Sequence, residues 1–107
     1  MKHQLYQSKT EAISKVPAGK KIKITVDGRP ICLVNIDNTF HAVSNSCPHL
    51  GESLSNGTLN YLGEIVCPWH SYRFNLKSGE EAMRRCKDLK IYRVTEEDSG
   101  ELNIEVS

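Results

Sequence analysis

The chain has 107 residues, four cysteines and a formal net charge of +1. That length allows one modest hydrophobic core without a disulfide scaffold, and 14 basic against 13 acidic side chains give no electrostatic footing for general nucleic-acid binding. No stretch approaches the roughly 20 apolar residues of a membrane span, and the opening residues MKHQLYQSKTEAISK are polar, so a cytoplasmic protein is expected.

Short strands separated by turn signals predict an all-β antiparallel sandwich or barrel, with residues 1–107 as one domain. The one helical segment expected is Lys9–Lys15, ended by Pro17 and Gly19. Lys21–Val26 then alternates polar and apolar residues, and Asp27-Gly28 marks a tight hairpin turn. Ile31–Ile36 returns as a more fully apolar strand, with Pro30 at its start, where a missing N–H is tolerated. Asp37-Asn38-Thr39 turns the chain into Phe40–Val43, and a loop follows from Asn45 to Gly51. Tyr61–Val66 reads as a strand leading into a second loop, and Tyr72–Leu76 leads out of it. Lys90–Thr95 and Leu102–Val106 close the chain as a hairpin across Glu96–Gly100.

The two loops carry the chemistry. Cys47-Pro48-His49 and Cys67-Pro68-Trp69-His70 each supply one thiolate and one imidazole. Zinc modules place two cysteines about 2–4 residues apart in one knuckle and two histidines about 3–5 apart in another, so these mixed pairs fit zinc poorly. A two-iron cluster suits them better, with both cysteines on one iron and both histidines on the other, the ligand set of a Rieske centre. Two ferric ions, two sulfides and two thiolates sum to zero charge, whereas four thiolates leave an oxidised cluster doubly negative. Adding an electron to the neutral cluster is easier in a low-dielectric site, which raises the potential into a window from roughly −150 to +300 mV. The imidazoles also couple that potential to pH.

The stretches CPHLGESLSNGTL and CPWHSYRFNLKSGE resemble the two cluster loops of the Rieske ferredoxin family, and the resemblance runs from about Ile22 to the C-terminus. It implies the Rieske-like fold, with a small cluster-binding subdomain of two loops at about residues 45–76, and one [2Fe–2S] cluster per chain. Cys47 and Cys67 would ligate the inner iron, and His49 and His70 the outer one, with their rings at the surface. Rieske proteins of cytochrome bc complexes carry an extra cysteine in each loop, but here Glu52 and Trp69 occupy those positions, so their disulfide is missing. Tyr72 and Phe74 stand where those proteins place serine and tyrosine donors to the sulfurs. Fewer donors imply a potential near the low end of the window, about −150 mV.

That set of features implies a one-electron carrier with no catalytic site of its own. Its expected setting is a multicomponent oxygenase, where it works as a monomer between an NAD(P)H-dependent flavin reductase and a terminal non-haem iron oxygenase. The alternative is a small Rieske-fold subunit of a larger reductase, such as an assimilatory nitrite reductase. Ser71 follows the second histidine where the family commonly has glycine, and it would carry modest strain if φ is positive there. Glu80–Asp88, the third loop, lacks the usual proline and carries Arg84, Arg85 and Lys87 around Cys86, either as a solvated loop or as a docking surface for an acidic partner. Trp69 is expected to floor the cluster, and Leu50 to shield its exposed face. Cys32 reads as a buried strand residue, Cys86 as a filler, a free thiol or a partner for Cys32, and His3 and His41 as ordinary strand or surface histidines.

Overall fold

Local signals account for each element of the computed structural model, which describes residues 1–49 and 51–106. Lys2–Tyr6 forms β1, an edge strand that the polar N-terminal composition had concealed. Lys9–Lys15 forms α1 as expected: the Ser8 side chain caps it by accepting from the Glu11 N–H at 3.1 Å, and the Glu11 carboxylate accepts from the Gln7 N–H at 3.1 Å. Lys21–Val26 (β2), Arg29–Ile36 (β3) and Thr39–Ser44 (β4) follow as a meander. Both connecting turns are two-residue turns with positive φ throughout: Asp27 at 52° with Gly28 at 76°, then Asp37 at 51° with Asn38 at 67°. This backbone matches the right-handed twist of the flanking strands and explains the Asp, Gly and Asn at those positions.

A 3₁₀ turn at Leu54–Asn56 leads into Thr58–Leu59 (β5), Glu64–Val66 (β6) and Arg73–Asn75 (β7). The strand expected over Tyr61–Val66 is therefore shorter. Asn60 Oδ1 accepts from the N–H groups of Leu62 and Glu64, at 3.0 and 3.1 Å, and this side-chain turn leaves Tyr61 and Leu62 exposed. Ile91–Glu96 (β8) and Leu102–Glu105 (β9) form the closing hairpin.

Six strands make one antiparallel sheet in the order β1-β9-β8-β4-β3-β2, and β5-β6-β7 make a second. The six-stranded sheet curls around a core that includes Ile31, Leu33, Phe40, Leu102 and Ile104, and Ala12 and Val16 of α1 join that core. Asn35, fully buried, ties the helix end to the sheet by donating its side-chain amide to the Val16 carbonyl at 2.7 Å. The other face of the sheet packs on the three-stranded one through Cys32, Val34, Val43, Ile65, Phe74 and Leu89. Alternation thus sends Ile31 and Leu33 into one core and Cys32 and Val34 into the other, so β3 is buried on both faces. That is why its sequence reads as a continuous apolar run. Gly79, at φ 80°, lies so close beneath the third loop that a Cβ there would stand 2.2 Å from the Leu89 carbonyl oxygen.

Candidate metal centre

The two cysteine-histidine segments are built on one plan. In the first, the Cys47 N–H donates to the Glu52 carbonyl at 2.9 Å; in the second, the Cys67 N–H donates to the Tyr72 carbonyl at 2.8 Å. Each closes a six-residue loop with the cysteine at its base. The first loop hangs from the Ser46–Ser53 bridge, and the second joins β6 to β7 just beyond the Val66–Arg73 pair. Paired backbone on both sides, rather than a long free segment, therefore positions the four candidate ligands.

The shared plan also explains Ser71. The fifth residue of the first loop is Gly51, at φ 76°, and the fifth of the second is Ser71, at φ 55°. A positive φ is thus required at this point of the plan, and the first loop meets it with glycine. His70 lies at φ 63° immediately before, so the second loop holds two consecutive left-handed residues, each of which disfavours a side chain by about 1–2 kcal/mol. Ser71→Gly is expected to stabilise the protein by about 0.5–1 kcal/mol, part of the relief being offset by the greater freedom of glycine in the unfolded chain. A thermal melt rising by a few degrees would bear this out, and an unchanged or lower midpoint would count against strain at this site.

Cys47 and Cys67 are both buried, in the core formed by Leu54, Ile65 and Phe74. Burial pushes the Cys67 thiol well above its ordinary pKa; the Trp69 backbone N–H directed at its sulfur pulls the other way, and the adjacent Cys47 thiol adds to the rise. A thiol that resists ionisation in an apolar pocket, beside a second buried thiol, is one that a bound cation would ionise, with release of protons. The His49 and His70 rings lie 5.5 Å apart between centroids, edge to face, with His70 exposed and His49 half-buried. His49 Nδ1 is buried with no hydrogen-bond partner. An orphaned imidazole nitrogen is costly unless something ligates it. Among the described residues, no three His, Cys, Asp or Glu side chains surround a common point, as a mononuclear site requires. A thiol pair and an imidazole pair side by side instead fit a cluster with two metal ions, each taking one pair.

Several expectations need correction here. Trp69 does not floor the site: it is 53% exposed at the tip of its loop, in the position that His49 holds in the first, with its ring edge-on to His70 at 5.7 Å. The floor is aliphatic and phenyl instead, because the inward-facing positions of β6 and β7 are Ile65 and Phe74. Cys32 and Cys86 are both free. Cys32 is fully buried, and burial pushes its thiol up to about 11, marking it as core packing. Cys86 is half-buried beside the same core. His41 is half-buried on β4, where burial lowers its pKa, and His3 lies on β1, so both belong to the six-stranded sheet and to neither loop. Leu50 lies outside the described residues.

The third loop holds what sequence reasoning missed. Its two arginines have opposite fates: Arg84 is exposed and pairs with Glu80, while Arg85 turns inward to Glu81. Glu81 is 1% exposed. Its carboxylate accepts from the backbone N–H groups of Arg73, Met83 and Arg85 and from two nitrogens of the Arg85 guanidinium, at 2.6–3.3 Å. The Arg85 guanidinium, chiefly, holds the Glu81 carboxyl down to about 2 against the effect of burial. A pair of glutamates followed by a pair of arginines looks like solvated charge in sequence, and nothing in it distinguishes the buried glutamate or the arginine that pairs with it.

With this geometry in place, the relatives are informative. The profile of the Rieske [2Fe–2S] domain matches residues 8–93. The chain is 31% identical over 88 residues to the biphenyl dioxygenase ferredoxin subunit of Pseudomonas sp. (strain KKS102), covering 79% of each chain. Among solved structures, the ferredoxin of Sphingomonas yanoikuyae B1 matches with a TM-score of 0.81 at 25% identity, over 100% of both chains. A chain in the complex of reduced oxygenase and oxidized ferredoxin in carbazole 1,9a-dioxygenase matches with a TM-score of 0.79 at 26% identity, over 96% of this chain and 91% of that one.

Proposed function

The chain belongs to the Rieske [2Fe–2S] domain family, and from that premise we propose that it is a one-electron carrier of a multicomponent oxygenase. It takes electrons from an NAD(P)H-dependent flavin reductase and delivers them to a terminal non-haem iron oxygenase, working as a monomer in the cytoplasm. Cys47 and Cys67 hold one iron of the cluster, and His49 and His70 the other. The bound cluster supplies a single one-electron couple near the low end of the Rieske window, about −150 mV.

The observation that carries this reading is the placement of the two pairs. The cysteines are buried against Leu54, Ile65 and Phe74, while His70 is exposed at the tip of its loop. The buried end excludes water and shields the sulfurs. The exposed imidazole brings the redox centre within reach of a partner, and Trp69 beside it offers a large apolar contact. Among the described residues, no helix is long and apolar enough to cross a membrane.

The test is a stopped-flow assay with purified protein, NADH, a flavin reductase and an oxygenase of the aromatic-ring-hydroxylating type. Rapid bleaching by the reductase, followed by reoxidation on mixing with oxygenase, is expected. A protein that co-purifies with a large reductase subunit and exchanges no electrons with either component would favour the alternative, a resident subunit of that reductase.

A further inference from the structure

The third loop reaches the histidine side of the site through a stack of flat groups. The Tyr72 ring lies 4.0 Å from the His49 ring between centroids, with only 9° between their planes. The Arg85 guanidinium carbon lies 3.9 Å from the centroid of the same Tyr72 ring. Two groups that close to one centroid cannot share a face, so Tyr72 is clamped between the guanidinium and the imidazole. Arg85 is itself held by two hydrogen bonds to the buried Glu81, at 3.0 and 2.6 Å. The planar fork is suited to both tasks at once, since it binds a carboxylate edge-on and stacks with its face.

We propose that Arg85, anchored by Glu81, is a positioning residue for His49: it presses Tyr72 against the imidazole and so sets the plane in which His49 presents its inward nitrogen. This deepens the ligand assignment made above and rests on it. Among the described residues, the half-buried His49 imidazole, with no hydrogen bond at Nδ1, touches the Tyr72 face and the edge-on His70 ring, and of these the Tyr72 stack is parallel to its plane. The clamp also places the Arg85 charge across one stacked ring, that of Tyr72, from the imidazole that would hold the metal ion.

The experiment compares the wild-type holoprotein with Arg85→Gln, Arg85→Lys and Tyr72→Phe, reading the midpoint potential against a mediator and the EPR g-values of the reduced cluster. Arg85→Gln is expected to shift the electron-sharing equilibrium roughly threefold to tenfold away from the protein, up to about 59 mV for one electron, and to broaden or move the g-values. Arg85→Lys keeps the charge but loses the flat face, so its potential should recover more fully than its g-values. Tyr72→Phe keeps the stack and should leave the g-values as in wild type. Unchanged potential and g-values in Arg85→Gln, with only a lower melting temperature, would reduce Arg85 to a structural role and overturn the proposal. If Arg85→Gln does not fold, the g-values of Arg85→Lys decide, and wild-type values there would overturn it. A wild-type protein with no Rieske-type EPR signal would instead sink the ligand assignment itself.

Discussion

Cys67→Ala is expected to give a colourless protein, with iron and acid-labile sulfide reduced to under about a tenth of the wild-type content. The sulfur at residue 67 is buried, lies beside Cys47 and receives the Trp69 backbone N–H. A cluster iron without its thiolate would be an uncompensated charge in an apolar pocket. Cys47→Ala should behave the same way. Cys32→Ala is the informative control, because Cys32 belongs to the same core but lies on β3 rather than in either loop. It should keep the visible spectrum while the melting temperature falls, reporting a small cavity and nothing more. Elemental analysis with far-UV circular dichroism separates loss of the cluster from loss of the fold. Full iron and sulfide in Cys67→Ala would remove that residue from the ligand set.

Glu81→Ala should be the most destabilising substitution outside the two cores, by about 3–5 kcal/mol. The change strands three backbone N–H groups and the inner side of a guanidinium at once. At roughly 4–8 °C per kcal/mol, the melting temperature should drop by more than about 10 °C. The pH dependence follows from the same contacts. The Glu81 carboxyl is held at about 2, below its ordinary 4.5, so the unfolded chain binds its proton first as the solution is acidified. Its contribution is therefore complete above about pH 4.5 and is lost as pH falls towards 2, an effect on the order of 3 kcal/mol. Urea melts at pH 6 and pH 3 measure it: wild type should lose much of this margin between the two, and Glu81→Ala should lose little there. A variant within about 1 kcal/mol of wild type at pH 6 would mean that the carboxylate is dispensable.

The features legible in the sequence were those whose cause is local. The β2–β3–β4 meander announced itself through Asp27-Gly28 and Asp37-Asn38, residue types that tolerate the positive φ found there. The helix at Lys9–Lys15 was legible because Pro17 and Gly19 stop it within a few residues, and the structure adds a Ser8 cap from within the same turn. The four cysteine and histidine positions came from spacing alone, and the structure brings them together in pairs. What was not legible depends on distant partners. β1 carries no strong strand pattern and owes its conformation to pairing with β9, about a hundred residues away. Trp69 looks like core by residue type, yet the loop plan turns it outward. Glu81 and Arg85 have the composition of a surface loop, and the burial of Glu81 and the inward turn of Arg85 are decided by where β7 and Tyr72 lie.

Burial of β3 on both faces also constrains the order in which the chain can assemble. Its neighbours β2 and β4 are reached through two-residue turns, so the three strands can zip together after closing only short loops. Once formed, that ribbon offers Ile31 and Leu33 on one side and Cys32 and Val34 on the other. Each core then has a template on which to condense, and neither can form without it. The folding nucleus is expected to lie in this ribbon, so that trimming Leu33 or Val34 slows refolding, while trimming Ile65 or Phe74 mainly speeds unfolding. Stopped-flow chevrons of Val34→Ala and Ile65→Val would distinguish the two limbs. In such a sequence of events the metal loops come to rest last, carried on strands that dock against a scaffold already in place.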